Sequence, residues 1–471
     1  MSLRFIYGRA GSGKTRYCLE EIKERMETGA THPLLMLVPE QYSFQAERDL
    51  IRVLQRGGSL QTQVLSFRRM AYRIFNQAGG ITCPHIHPAG KCMILYRILD
   101  QMQDDFRVFA RATERPGFVH ILSALISEFK RYRVTPEGLA EVQKNFPEDD
   151  PFKEKLRELQ VIYAVFEEIL ADTYQDGDDD LTLAAEKLDL IDLYTGAEIW
   201  VDGFTGFTPQ EYQVLGKLLH RAKRVHVSLC TGSLEEQERS LGTDVFSSVK
   251  QVYKKLANIA RDGNIPLEAP VLLEHKPLYR FTGSPELAHL EENLHAYPGR
   301  VYPHTTGDIV IFSSANIFTE IEGAAQDIIR LCRDQGMRYR DIALVVRNLS
   351  DYEQLIQAVF DEYEIPYFID KKKDITNHPL VRLILSMLEI FIDNWSYEDV
   401  FSYLKTGLTD VDRESVDLLE NYVLACGIRG QRWTNGQDWQ MSTAFLPEER
   451  ALEEDKKRLE KINRIRVQLT T

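Results

Sequence analysis

Residues 8–15 read Gly8-Arg9-Ala10-Gly11-Ser12-Gly13-Lys14-Thr15 and satisfy G-x-x-x-x-G-K-[ST] at every position. A chain of average composition and this length shows such a match by chance in roughly one case in a hundred. The pattern constrains the fold, because it needs a strand before it and a helix after it. LRFIY (3–7) is a β-branched and aromatic run suited to a buried strand, and TRYCLEEIKERMETG (15–29) carries helical periodicity. The glycines let the backbone curl so that its N–H groups and the helix N-terminus face phosphate oxygens. Lys14 is expected to reach the β/γ-phosphates of ATP, and the Thr15 hydroxyl to ligate Mg²⁺. The competing reading is a glycine-rich turn that binds nothing.

Beyond this loop the chain repeats the same alternation. PLLMLVP (33–39) and TQVLSF (62–67) are apolar strands, followed by helical patterns over 41–54 and 68–80. Strands that are apolar throughout suit a parallel sheet covered on both faces, hence an α/β fold of the P-loop NTPase class. KCMILYRILDQM (91–102), FVHILSALISEFKRYRV (118–134) and DPFKEKLRELQVIYAVFEEILADTY (150–174) then show i, i+3/i+4 apolar spacing. The sheet resumes with EIWVDGF (198–204) and KRVHVSLC (223–230). At 471 residues one core is not enough, and two to four domains are expected. The predicted spans are 1–87 (first α/β part), 88–195 (helical insertion), 196–231 (second α/β part), 232–306 (proline-rich connector), 307–375 (a second α/β block) and 376–471 (helical).

Composition sets outer limits. Hydrophobic content of 44% and charged content of 27% are those of a soluble globular protein. No apolar run approaches the ~20 residues needed to span a bilayer, so no membrane association is expected. The N-terminus enters the first predicted strand at once, so no signal peptide is expected. Cysteines at 18, 83, 92, 230, 332 and 426 show no disulfide framework, which points to a reducing cytoplasm. A net charge of −14 rules out holding nucleic acid by bulk positive charge, so a DNA track must be a local basic stripe or be shared with a partner.

The arrangement resembles the first motor domain of superfamily 1 helicases of the UvrD type, with two RecA-like α/β domains and helical insertions. Ser66-Phe67-Arg68 is similar to that family's threonine-phenylalanine-histidine segment, and DGDDDLTLAAEKL (176–188) to its acidic insert stretch. The segment from Gly307 through DIALVVR (341–347) to IPY (365–367) resembles the opening of its second motor domain. GRAGSGKT, LVPEQYSFQAE, SEFKRYRVTPEGL, VDGFTGFTPQE and SPELAHLEENL together look like the AddB/RexB family, one of the two chains of the bacterial ATP-dependent helicase/nuclease. The resemblance covers essentially all of residues 1–395 and implies an N-terminal portion of a longer protein. It also implies a heterodimer with an AddA-type motor subunit, processing of DNA double-strand ends for recombinational repair, and contact with single-stranded DNA. A C-terminal nuclease with a 4Fe-4S cluster held by four cysteines is implied too, with its residues beyond 471. DNA contacts expected from this match are Ser66, Phe67 and Arg68, with Arg69 and Arg73 placed on one face by helical spacing; an aromatic beside arginines suits base stacking and phosphate contact, and the competing reading is a solvated helix face.

Several departures bear on chemistry. The active family ends its acidic strand Asp-Glu, the aspartate holding Mg²⁺ and the glutamate polarising the attacking water. Here Asp202 is followed by Gly203, and Glu211 lies in the next predicted helix. The family's Gly-Asp-x-x-Gln motif is absent from SLCTGSLEEQ (228–237), and its arginine is absent where SANIFTE (314–320) stands. No segment upstream of Gly8 matches the glutamine that reads adenine. Positioning and charge neutralisation are most of phosphoryl-transfer catalysis. The expectation is therefore a nucleotide site with negligible hydrolysis. An active DNA-dependent helicase and a small-molecule P-loop kinase are the alternatives. Cys83, His85, His87 and Cys92 lie close in sequence but lack zinc-ligand spacing. Lys130-Arg131-Tyr132-Arg133 and Lys371-Lys372-Lys373 are further basic candidates, the lysine run reading best as a solvated face.

Overall fold

The computed structural model describes residues 1–55, 62–79, 83–110, 112, 115–171, 173–235, 244–296, 298–370, 375–441 and 449–470. The chain divides into two compact units, 1–311 and 312–471. The first opens with β1 (Leu3–Gly8), α1 (Lys14–Glu27), β2 (Leu34–Leu37), α2 (Ser43–Leu54), β3 (Thr62–Leu65) and α3 (Phe67–Ala78). Five helices follow: α4 (Pro88–Gln101), α5 (Pro116–Arg131), α6 (Pro136–Gln143), α7 (Pro151–Ala171) and α8 (Asp180–Leu188). The sheet then continues through β4 (Glu198–Val201), α9 (Pro209–Leu219), β5 (Arg224–Cys230), α10 (Ser247–Asp262), β6 (Val271–Leu272) and α11 (Pro285–Asn293).

The six strands run parallel in the order β3-β2-β4-β5-β1-β6. Successive strand residues point to opposite faces, and both faces are covered. Leu35, Leu37, Ile199, Val201, Val225 and Val227 enter one core together with α3, α8 and α9. Leu34, Met36 and Trp200 enter the other with α1 and α2. This double burial explains why the strands read as continuous apolar runs. Only β5 separates β4 from β1, so Asp202 and the glycine loop emerge at neighbouring carboxyl ends, where open α/β sheets bind ligands.

The helical insertion has its own core, with Leu95, Ile98, Leu122, Ile126, Ile162 and Phe166 at its centre. The structure moves one boundary: α8, predicted within the insertion, packs Ala184, Ala185 and Leu188 into the sheet core beside α3. The acidic run before α8 ties insertion to body. The Lys130 ammonium pairs with Glu167 at 2.7 Å, Asp176 at 3.1 Å and Asp179 at 2.5 Å, and Lys91 pairs with Asp176 and Asp178. Burial alone would lower the Lys130 pKa, yet these carboxylates raise it. Lys130 is thus a buried structural cation, not the exposed basic residue the sequence suggested.

The second unit contains α12 (Ile317–Gln335), α13 (Leu349–Glu362), α14 (Pro379–Ile392), α15 (Tyr397–Leu404), α16 (Arg413–Cys426) and α17 (Glu449–Thr470). Among its described residues there is no strand. The run 341–347, expected as a strand of the second α/β block, and the similarly apolar run 309–312 carry no sheet hydrogen bonds, and Ile311 and Val345 stand 93% and 88% exposed. Their apolar pattern is that of strands, but a strand needs a neighbour for its N–H and C=O groups, and none lies beside them among the described residues. Ile321, Ala325, Ile356 and Phe360 join α12 to α13. Val400, Leu419, Tyr422, Trp433 and Ile462 form a separate helical core. The terminal helix packs its isoleucine stripe through Ile462 and Ile465, as its pattern predicts. Lys371–Lys373 lie outside the described residues. No helix among the described residues is long and apolar enough to cross a membrane.

Candidate nucleotide-binding site

The loop between β1 and α1 turns on two glycines in left-handed conformation, Gly11 (φ 82) and Gly13 (φ 89), the latter capping α1. A side chain is strained at such a φ. Close approach also matters here. A Cβ on Gly8 would lie 2.5 Å from Ser12 Oγ and 2.8 Å from the Leu273 carbonyl oxygen. The Lys14 ammonium donates to the carbonyls of Gly8 (2.8 Å) and Arg9 (3.0 Å), holding its charge inside the loop. Thr15 Oγ1 donates to Asp202 Oδ2 at 2.7 Å across the tips of β1 and β4. Asp202 is 2% exposed and also accepts from the Ser228 hydroxyl of β5. Ser12 Oγ is buried and finds no hydrogen-bond partner among the described residues.

This donor set fits ATP with Mg²⁺. A hydroxyl and a carboxylate meet at one point, as a hard oxygen-seeking cation requires, leaving its other positions to phosphate oxygens and water. The sequence-predicted residues Gly8 to Thr15 and Asp202 are therefore brought together. The water-orienting carboxylate is not. Gly203 sits at φ 82 with Pro39 Cδ 3.4 Å from its virtual Cβ, a backbone state that disfavours any other residue. Glu211 is occupied elsewhere: its carboxylate accepts from Thr208 N at 2.7 Å in a capping box at the start of α9. Burial raises the Glu211 pKa above the usual carboxylate value.

Sequence reasoning missed the segment that crosses the loop. From β6 the backbone continues beside β1 (Leu273 N to Tyr7 O, 2.8 Å), then turns over the glycines, where Arg280 N donates to Gly11 O at 3.2 Å. The Tyr279 ring comes within 3.2 Å of the virtual Cβ of Gly13, and Arg280 Cβ within 2.7 Å of that of Gly11. The Arg280 guanidinium has no ion-pair or hydrogen-bond partner among the described residues and shares a cavity of about 630 Å³ with Thr15, Arg16, Lys23, Tyr42 and Arg52. An arginine thus stands beside the loop after all, from a part of the chain other than SANIFTE. Its signal was the tyrosine-arginine pair in PLYRFTG, but nothing in a proline-rich connector says where it folds.

The nucleic-acid candidates separate. Phe67 is buried and packs edge-on against Phe204 and Phe207 at 5.5 and 6.2 Å, so its ring offers no face for a base here. Ser66 caps α3, accepting from Arg69 N and donating to Glu40. Arg69 pairs with Glu47 at 2.6 Å, Arg73 donates to Gln63, and Arg68 lies over Tyr72. Phe44, 69% accessible in the first turn of α2, is an exposed aromatic one turn before Glu47, the partner of Arg69. The Cys83–Cys92 group does not assemble: His85 bonds Asp180, His87 caps α4, and Cys92 meets His120. Among the described residues no three His, Cys, Asp or Glu side chains converge as metal ligands, and the cysteines do not fit an iron–sulfur cluster.

Comparison with known proteins identifies the family. A family model described as "ADDB, N-terminal" matches residues 5–291. The B-type chain of the ATP-dependent helicase/deoxyribonuclease of Acetivibrio thermocellus is 63% identical over 469 residues, covering 100% of this chain and 41% of that protein. The corresponding protein of Ruminiclostridium cellulolyticum is 51% identical over 99% of the chain and 41% of its own length, and that of a Clostridium botulinum strain 49% over 99% and 40%. The chain spans about two fifths of the length of these relatives. With a glycine loop and acidic strand tip in the matched region, the chain belongs to the AddB family and corresponds to its N-terminal portion.

Proposed function

We propose that this chain binds ATP and Mg²⁺ at Gly8–Thr15 and Asp202 without efficient hydrolysis, as the non-motor part of an AddB-type helicase/deoxyribonuclease subunit. The observation that carries this reading is the pairing of a complete phosphate cradle with a glycine at φ 82 where a catalytic glutamate would stand. Lys14 and the loop N–H groups neutralise and orient the phosphates, and Thr15 and Asp202 place the cation. Gly203 has no side chain and Glu211 is held in the α9 capping box, so neither of these supplies an acceptor for a proton from water. The protein works with an AddA-type motor on DNA double-strand ends, and the 307–375 block takes part in a second RecA-like domain of a UvrD-type superfamily 1 architecture. Single-stranded DNA crosses the carboxyl-end face near Phe44, Arg68, Arg69 and Arg73, with Phe44 in the stacking role. Arg280, an unpaired cation beside the loop, favours the second reading, a slow DNA-dependent ATPase.

The test is equilibrium binding of a fluorescent ATP analogue, with and without Mg²⁺, to the wild type and to Lys14→Ala. Binding that needs Mg²⁺ and weakens at least about tenfold in the variant supports the reading, since one charge-assisted phosphate contact is worth about 1.5–3 kcal/mol. Equal binding by both proteins would contradict it.

A further inference from the structure

The strap between β6 and α11 does more than cross the loop: it ends in a helix fastened at both ends to something that matters. Near its C-terminus, Glu291 holds the loop residue Arg9, with Arg9 Nε donating to Glu291 Oε1 at 2.9 Å and Arg9 Nη2 to the Glu291 carbonyl. Near its N-terminus, Glu286 is buried and accepts three backbone N–H groups, from Gly307 (2.5 Å), Asp308 (3.0 Å) and Ile309 (3.2 Å). Those residues begin the stretch of chain that continues into the second unit. Only four residues of one short helix, Leu287 to Leu290, therefore lie between the loop's ion pair and the anchor of the downstream segment.

We infer that α11 is a nucleotide-responsive latch, in which phosphate binding at the loop draws Arg9 off Glu291 and the resulting shift of α11 loosens the Glu286 grip on residues 307–309. This rests on the reading that the loop binds ATP. In the structure both loop cations are held by protein acceptors: Lys14 by the carbonyls of Gly8 and Arg9, and Arg9 by Glu291. A triphosphate competes for both. Turning Lys14 toward phosphate removes its bond to the Arg9 carbonyl and frees the loop to re-aim the Arg9 side chain. The Arg9–Glu291 pair keeps 32% and 15% of its side-chain surfaces open to solvent, so a phosphate can reach it and compete for the guanidinium. The turn that precedes α11 already touches Gly11 and Gly13, so the strap lies in the path of any ligand that enters. Linkage fixes the sign: if binding opens the latch, opening it beforehand must tighten binding.

The experiment is amide hydrogen exchange at Gly307, Asp308 and Ile309 with and without Mg-ATP, alongside ATP affinity, in the wild type, Glu291→Gln and Glu286→Gln. The latch predicts that Mg-ATP speeds exchange at these amides in the wild type. It predicts faster exchange in Glu291→Gln before ATP is added, and about two- to fivefold tighter ATP binding by that variant. Glu286→Gln should exchange fast in either condition and still bind ATP. Normal ATP binding with unchanged exchange at 307–309, or unchanged affinity in Glu291→Gln, would overturn the latch while leaving the nucleotide site intact. Failure of the wild type to bind ATP would remove the site and the latch with it.

Discussion

At Gly203 a single residue decides more than its missing side chain suggests. Its φ of 82 means that a glutamate placed there would be strained as well as misdirected. Gly203→Glu is therefore expected to lower stability by about 1–2 kcal/mol in urea unfolding and to leave ATP turnover no higher than in the wild type. A rise in turnover would show that the backbone adapts and that only the carboxylate was lacking. The glycine loop was legible because its eight residues are contiguous and each has a local physical reason. Asp202 was legible because an apolar strand delivers it to the same sheet edge. Arg280, Tyr279 and Glu291 were not, because their importance comes from a long-range crossing that neither periodicity nor composition records. Phe67 misled for a related reason: an aromatic beside arginines looks the same in sequence whether its ring faces solvent or Phe204.

Individual elements show how local pattern and tertiary context share the work. β4 begins at Glu198, a buried carboxylate in a strand that is otherwise apolar. It accepts from Arg25, His32, Arg224 and His226. Burial alone would raise its pKa, but the hydrogen bonds from His226 and His32 and the charge of Arg25 bring it down to about 2. A carboxylate depressed from 4.5 contributes stability that is fully present above about pH 4.5 and is lost as pH falls toward 2. Glu198→Gln should therefore be less stable than the wild type at pH 7, with the gap narrowing between pH 4.5 and 2 in chemical denaturation. A gap that stays constant over that range would show that the carboxylate's charge contributes nothing. Five of the six strands of the first sheet could be read directly, since continuous apolar runs bounded by turns need only the local chain, whereas the two-residue β6 lies in the stretch read as a connector. Residues 341–347 have the same composition but form no strand, because pairing is a property of the neighbour. α8 was assigned to the insertion by position, yet its small face of Ala184 and Ala185 fits the crowded groove against α3.

For the whole molecule, the loop, the acidic strand tip and the strap all lie within the first unit, 1–311. The net charge of −14 confines any DNA contact to local patches such as the α3 arginines, and makes that contact sensitive to salt. On the proposed reading the loop holds the phosphates while neither Gly203 nor Glu211 activates the attacking water. The most direct test is steady-state ATP turnover by this chain, with and without single-stranded DNA, beside Lys14→Ala, under conditions where ATP binding has been measured. The account predicts ATP binding that depends on Lys14 and no turnover above the variant's background, with or without DNA. DNA-stimulated turnover that disappears in Lys14→Ala would contradict it, and would point to Arg280 and a replacement for the missing glutamate as working parts of a motor.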